Sequence, residues 1–126
     1  MSRLLVVDDD EDNLQLFGAI LTIYNYTVIL FSDPVKALIA FRPNYYDLVI
    51  LDYLMPSLDG LELYKAIKEK EPAAKIMFLT ASHETIKLNS MDTPKIVRKP
   101  VFVTKLIQEI KSMLDVNETY VMDSVN

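Results

Sequence analysis

The sequence predicts an α/β domain in which helices cover both faces of a five-stranded parallel sheet. Five short runs rich in Val, Ile, Leu and aromatic residues alternate with stretches of helical periodicity. The first four runs are almost continuously hydrophobic, as expected of strands that are buried on both faces. Because strands that alternate with helices form parallel sheets through right-handed crossovers, we expect a three-layer α/β sandwich.

The five predicted strands are RLLVV (3–7), YTVILF (26–31), YDLVIL (46–51), AKIMFL (74–79) and KIVR (95–98). Apolar residues at helical spacing predict helices within 14–24, 32–41, 61–67 and 102–114. In the second of these, Ser32 or Asp33 is the expected N-cap and Pro34 lies in the first turn. The segment 82–93 shows little apolar periodicity, and we expect a fourth helix there to be short or irregular.

Composition limits the classes of function. The 126 residues suit one domain, and the absence of cysteine excludes disulfides and thiolate metal sites. No segment approaches the roughly 18 apolar residues of a membrane span, and the start of the chain lacks the apolar region of a signal peptide. The net charge of −5 does not suit a nucleic-acid-binding surface, which needs clustered Lys and Arg to contact the phosphates. We therefore expect a cytoplasmic protein without membrane insertion or direct contact with nucleic acid.

Polar residues follow the predicted strands at the points where they end. The element lengths fit the flavodoxin-like strand order 2-1-3-4-5, in which ligands bind outside the carboxyl ends of strands 1 and 3. Asp8 and Asp9 follow the first strand, and Asp52 follows the third. Thr80 closes the fourth strand and Lys99 follows the fifth. The sequence therefore predicts that these five side chains converge on one edge of the sheet.

This set of residues has the chemistry of phosphoryl transfer. Clustered carboxylates attract Mg²⁺, a carboxylate can act as a nucleophile, and a Lys and a Thr can neutralise and orient a phosphoryl group. The simpler interpretation of the acidic run is helix capping, and we assign Asp10, Glu11 and Asp12 mainly to that role. Thr80 and Lys99, taken singly, are explained as a loop cap and a solvated surface residue. Their joint occurrence at strand ends favours a common site.

Four motifs resemble the receiver domain of two-component response regulators. They are VVDDDEDN, LVILDYLMPSLDG, FLTAS and VRKP, which occur in the family's order across about residues 3 to 115. The D-x-x-M-P-x-x-D-G pattern after the third strand is the most specific of them. The resemblance implies a receiver domain over 1–115 and a C-terminal tail over 116–126, with no output domain.

The resemblance implies a role for each residue of the site. Asp52 is the expected phosphoacceptor, and Thr80 and Lys99 contact the phosphoryl group. The expected Mg²⁺ ligands are Asp8, Asp9, Asp52 and the backbone carbonyl of Leu54. A cis peptide bond between Lys99 and Pro100 is also implied, which proline permits at a cost of roughly 0.5–1 kcal/mol.

The resemblance also implies the reaction and its partners. The phosphoryl group comes from a phosphohistidine of a sensor histidine kinase or of a histidine phosphotransfer protein. The signal then leaves through contacts with an output protein. Such a domain is not an enzyme in the usual sense, because it catalyses only its own phosphorylation and dephosphorylation.

The chain departs from the family pattern before the Lys. The family usually has an aromatic residue three positions earlier, where this chain has Ile96, and SMDTPKI replaces the usual Gly-containing turn. We expect Ile96 to be a core residue of the last strand. We expect phosphorylation to act mainly on the loop 81–93, which has few apolar anchors.

Three alternatives stay open at this point. A Mg²⁺-dependent phosphohydrolase of the haloacid-dehalogenase type would use Asp8 and Asp10 as its D-x-D motif. That alternative lacks a later acidic pair at a strand end, because Glu109, Asp115 and Glu118 belong to a helix and a tail. It also leaves Asp52 unexplained. The second alternative is a degenerate receiver that acts only as a binding module. The third is a receiver cut from a longer hybrid kinase or transcription factor.

Overall fold

The computed structural model describes residues 2–81 and 94–114. Its elements are β1 (Arg3–Val7), α1 (Glu11–Ile23), β2 (Thr27–Phe31), α2 (Pro34–Ala40), β3 (Leu48–Leu51), α3 (Gly60–Lys70), β4 (Ile76–Thr80), β5 (Lys95–Arg98) and α4 (Val103–Leu114). The short helix expected within 82–93 and the tail expected over 116–126 lie outside the described residues. Within the described ranges, no helix has both the length and the apolar character that a membrane crossing requires.

The five strands form one parallel sheet in the order β2-β1-β3-β4-β5, which confirms the predicted topology. The register aligns the carboxyl ends of the neighbouring strands. Val7 of β1 pairs with Leu51 of β3, so the residues that follow them emerge side by side. Thr80 of β4 pairs with Arg98 of β5, which brings Lys99 to the same edge. The sheet therefore gathers the predicted site residues at one edge.

The sheet is covered on both faces, as the continuous hydrophobicity of its strands predicts. Leu5, Val7 and Phe78 belong to the core on the side of α2 and α3. Leu4 and Val6 belong to the core on the side of α1 and α4. The alternation of neighbouring residues between the two cores follows from the two-residue period of a strand. The three-layer sandwich is thus confirmed.

Three strands begin one or two residues later than predicted. β2 begins at Thr27, β3 at Leu48 and β4 at Ile76. The aromatic residues before the first two, Tyr26 and Tyr46, pack against the edges of the cores without joining the strand ladder. Hydrophobic packing outside the ladder produces the same sequence signal as a strand, so the sequence overestimates the strand length.

Ile96 takes the core position that the sequence predicts for it. It pairs in register with Phe78 and packs, half-buried, against the core on the side of α2 and α3. Phe78 itself is stacked on Tyr64, with ring centroids 5.6 Å apart, and meets the edge of Tyr53 at 5.9 Å. The aromatic rings beside Ile96 are therefore those of Phe78 and of the two tyrosines that pack on it, Tyr53 and Tyr64.

Candidate phosphoryl-transfer site

Three carboxylates meet at the carboxyl ends of β1 and β3. Asp8, Asp9 and Asp52 each offer an oxygen, and these oxygens all lie within 4.8 Å of one another. Asp8 is buried, Asp52 is half-buried and Asp9 is exposed. A group of hard oxygen ligands that is open to water on one side suits Mg²⁺, which usually retains several water ligands. The residues present therefore fit the cation that the sequence predicts.

Backbone hydrogen bonds hold the two inner carboxylates in place. The Asp8 N–H donates to the Phe31 carbonyl at 3.2 Å, and the Asp52 N–H donates to the Val7 carbonyl at 3.0 Å. Both bonds continue the parallel ladder one residue beyond the strands. The Asp10 N–H donates to Asp8 Oδ1 at 3.0 Å. The hydrogen-bonded backbone therefore fixes the Cα positions of Asp8 and Asp52. Moving either Cα would break hydrogen bonds at the edge of the sheet.

The remainder of the acidic run caps α1, as expected. Asp10 is the N-cap, and its Oδ1 accepts a hydrogen bond from the Asn13 N–H at 3.1 Å. Glu11 and Asp12 lie in the first turn, where the helix dipole favours negative charge. Helix capping therefore explains Asp10, Glu11 and Asp12, whereas Asp8 and Asp9 belong to the carboxylate cluster.

Thr80 and Lys99 complete the site from β4 and β5. The Thr80 hydroxyl is hydrogen-bonded to the Asp52 carboxylate, and Thr80 is only 1% exposed. Lys99 Nζ lies 3.1 Å from Asp8 Oδ2. The Lys99 N–H donates to the Thr80 carbonyl at 2.8 Å, and the Lys99–Pro100 peptide bond is cis, which confirms the implication of the resemblance. All five polar residues predicted to converge are thus brought to one edge.

Burial raises the pKa of Asp52 above the usual value for an aspartate, and the negative charge of Asp8 raises it further. The Lys99 ammonium, the Thr80 hydroxyl and the Tyr53 N–H oppose these effects and lower the pKa. The net direction is upward, so the protein alone does not fully compensate the negative charge gathered at this site. An added cation would complete the compensation.

This shift predicts how stability depends on pH. A carboxyl whose pKa is raised on folding binds more protons in the folded state, so its contribution to stability falls as pH rises between the unfolded and folded pKa values. We expect Asp52→Asn to be more stable than wild type at neutral pH without divalent cations. The difference should disappear below the usual range of aspartate pKa values, where both side chains are neutral. Thermal melts across that range would measure this, and a pH-independent difference would contradict it.

The loop from β3 to α3 shows why its sequence motif has this form. Met55 is buried and anchors the loop to the core, and Asp59 is the N-cap of α3, accepting from the Glu62 N–H at 2.8 Å. The Gly60 N–H donates to the Tyr53 carbonyl at 2.8 Å. A Cβ on Gly60 would lie 2.3 Å from the Asp52 carbonyl oxygen, so the backbones approach too closely for any other residue. Leu54 is exposed on the same loop, and its role as a carbonyl ligand stays a prediction.

One neighbour of the site was missed by sequence reasoning. The ring of Phe17, on α1, lies against Lys99, with Nζ 5.5 Å from its centroid. Phe17 and Lys99 are far apart in the chain, and no local pattern connects them. Only the tertiary packing of α1 brings the ring to the residue that follows β5.

Comparison with known proteins agrees with the fold and shows the family. The family model of the response regulator receiver domain matches residues 4–111. The response regulator receiver protein CpdR of Brucella abortus is 31% identical over 117 residues, which cover 90% of this chain and 98% of CpdR. The chain belongs to the response regulator receiver domain family. The response regulator ArlR of Staphylococcus aureus is 30% identical, and the match spans only 53% of its length.

The fold is also found in solved structures. The response regulator TrrA of Thermotoga maritima, in complex with Mg²⁺ and BeF, is 35% identical with a TM-score of 0.79, and the match covers 90% of this chain and all of TrrA. A second match is the structure of the histidine kinase ThkA in complex with TrrA, at 34% identity and a TM-score of 0.81, covering 91% of this chain and all of the matched chain. The comparisons give no support to the haloacid-dehalogenase alternative.

Proposed function

We propose that this receiver domain accepts a phosphoryl group on Asp52 in a Mg²⁺-dependent reaction. The donor is a phosphohistidine of a sensor histidine kinase or of a histidine phosphotransfer protein, and the signal passes on through protein contacts. The observation that carries the proposal is the different environment of the two inner carboxylates. Asp52 is half-exposed and hydrogen-bonded by Thr80, whereas Asp8 is buried and paired with Lys99. A nucleophile must be reachable, and Asp52 is the inner carboxylate that meets this condition.

The reaction moves one phosphoryl group between two proteins. A carboxylate oxygen of Asp52 forms a bond to phosphorus while the bond from phosphorus to the donor's imidazole nitrogen breaks, and the electron pair of that bond returns to the imidazole. The product is an acyl phosphate on Asp52. Lys99 and Thr80 lie where they can bind the oxygens of that group, one by charge and one by a hydrogen bond. Such transfer depends mainly on positioning and charge neutralisation.

The proposed Mg²⁺ ligands are Asp8, Asp9, Asp52 and the backbone carbonyl of Leu54. When bound, the cation supplies positive charge that offsets the carboxylates and the incoming phosphoryl oxygens. The chain's own contribution is to fix these ligands. Backbone hydrogen bonds anchor Asp8 and Asp52, while Asp9 stays exposed on the open side of the site.

The structure of α4 argues further against a phosphohydrolase of the haloacid-dehalogenase type. Such an enzyme needs another acidic pair at a strand end, and Glu109 is a candidate by sequence position. Glu109 lies on α4, forms an ion pair with Lys95 and has Lys105 at 3.7 Å. The negative charge of Glu109 is therefore paired with lysines on the chain's own surface, away from the carboxylate cluster.

We propose a signalling domain over 1–115, followed by a tail over 116–126. This domain acts catalytically only on itself and functions in the cytoplasm.

Incubation with acetyl phosphate and Mg²⁺, followed by intact-mass analysis, tests the proposed function. We expect a mass gain of one phosphoryl group that requires Mg²⁺ and is removed by mild base, as for an acyl phosphate. Use of a small donor avoids the need to know the kinase. No mass gain, or a gain that is stable to base, would contradict the proposal.

A second prediction concerns the cation. Mg²⁺ that binds only the folded protein should stabilise it by about 1.4 kcal/mol at ten times its dissociation constant. We expect Asp9→Asn to weaken Mg²⁺ binding about tenfold or more, because it removes one of three charged ligands. Asp12→Asn is the matched control, since it removes the same charge from the first turn of α1, outside the cluster.

The measurement is the melting temperature as a function of Mg²⁺ concentration for the three proteins. Asp12→Asn can lower the starting stability through the helix dipole, but its response to Mg²⁺ should match that of wild type. If Mg²⁺ at millimolar concentration leaves the melting temperature of wild type unchanged, the acids at this edge are not a magnesium site.

A further inference from the structure

Phe17 and Asp8 together enclose the ammonium of Lys99. The Phe17 ring centroid lies 5.5 Å from Lys99 Nζ, within the ~6 Å range of cation–π attraction. Asp8 Oδ2 lies 3.1 Å from the same nitrogen, and the Lys99 side chain is only 16% exposed. Phe17 is half-buried and packs against the core between α1 and the sheet. The ammonium is therefore held between a carboxylate and an aromatic ring, with little access to water.

We propose that Phe17 is a positioning residue for Lys99, and that it strengthens the binding of a phosphoryl group at Asp52 without contacting that group. The inference rests on the function proposed above. It assigns a role in the site to a residue of α1 that neither belongs to the acidic cluster nor carries a polar group.

The physical basis is the flexibility of lysine. The ammonium sits on a flexible four-carbon side chain, which loses rotamer entropy when the ammonium is held in one place. The more positions the ammonium can occupy in the unphosphorylated protein, the more entropy it loses when it binds a phosphoryl group, and the weaker that binding is. The Phe17 ring closes one side of this space and attracts the cation over its whole face. The ammonium can thus turn from Asp8 toward an acyl phosphate on Asp52 while it stays on the ring. If a single acceptor atom stood in place of the ring, the Lys99 ammonium would have to break its hydrogen bond to that atom before it could turn.

The competing explanation is that Phe17 only fills space in the core. Phe17→Met separates the two, because methionine adapts to the space of the ring but has no aromatic face. Phe17→Tyr keeps the face. Leu16→Ala is the control for a change on the same turn of α1, since Leu16 is 57% exposed and lies outside both cores.

The first measurement is the affinity for beryllofluoride, a phosphoryl analogue, in the presence of Mg²⁺, followed by NMR. We expect Phe17→Met to bind about 2- to 5-fold more weakly, the size of an ordinary cation–π contribution. Phe17→Tyr and Leu16→Ala should stay within about twofold of wild type on the same scale. Should Phe17→Met fail to fold, Phe17→Leu replaces it.

The second measurement is the proton chemical shift of the Lys99 ε-methylene group without ligand. The ring current of Phe17 should move it upfield in wild type and in Phe17→Tyr, and the displacement should vanish in Phe17→Met. This pattern would confirm that the ring lies against the Lys99 side chain in solution, and its absence in wild type would contradict the inference. Wild type that fails to bind beryllofluoride would overturn the proposed function. Wild type that binds it with an affinity unchanged in Phe17→Met would overturn this inference alone.

Discussion

Asp52→Asn is expected to lower phosphorylation by acetyl phosphate by about 10³-fold or more, the scale on which loss of a nucleophile is felt. The amide preserves the shape of the side chain, but its oxygen is a far poorer nucleophile. Asp52 accepts hydrogen bonds from the Thr80 hydroxyl and the Tyr53 N–H, and it is the inner carboxylate that solvent reaches. Removing it therefore removes the atom that the proposed reaction requires.

Thermal melts would separate a loss of labelling from unfolding, and the raised pKa of Asp52 predicts that Asp52→Asn is more stable than wild type at neutral pH without divalent cations. Intact-mass analysis would measure labelling over time, with Asp12→Asn as the control for the loss of one acidic charge near the site. Fragmentation of the labelled wild type should place the phosphoryl group on Asp52. Equal labelling of wild type and Asp52→Asn would reject the assignment and make Asp8 the next candidate.

Gly60→Ala is expected to have the largest effect on the fold. A Cβ at this position would lie 2.3 Å from the Asp52 carbonyl oxygen and 2.7 Å from the Tyr53 Cα. Both are backbone atoms, which cannot move aside without displacing the strand end that carries Asp52. We expect a loss of about 3 kcal/mol or more in the free energy of unfolding, at the upper end of overpacking costs. Labelling of Asp52 should also fall about tenfold or more, because small misplacement of reacting groups is costly.

Gly18→Ala is the matched control, since the chain contains only these two glycines. Its Cβ would meet the Leu30 Cδ1 at 2.8 Å, but that atom is the end of a side chain that can rotate. Alanine also favours a helix over glycine by roughly 1 kcal/mol, so the net change should be small. Denaturant unfolding of both variants would measure the difference. Two variants of similar stability would show that the close approach at Gly60 is not required.

Most of the fold follows from patterns that are local in the sequence. Continuous apolar runs separated by helical periodicity predict a parallel sheet because each run must be buried on both faces. Once the sheet order is known, the carboxyl ends of its strands share an edge, and Asp8, Asp52 and Lys99 must lie near one another. Asp10 as a helix cap is local in the same sense. The strand starts were less accurate, because Tyr26 and Tyr46 pack hydrophobically without joining the ladder.

The sequence by itself therefore determined which residues gather at the site, because topology alone brings strand ends together. The tertiary structure decided how they are paired. Lys99 lies on Asp8 and against Phe17, and Thr80 bonds to Asp52. It also decided that Gly60 is needed for a close backbone approach, at a position whose φ is not positive. Such pairings depend on side-chain directions and ångström-scale distances between distant segments, which no spacing along the chain encodes.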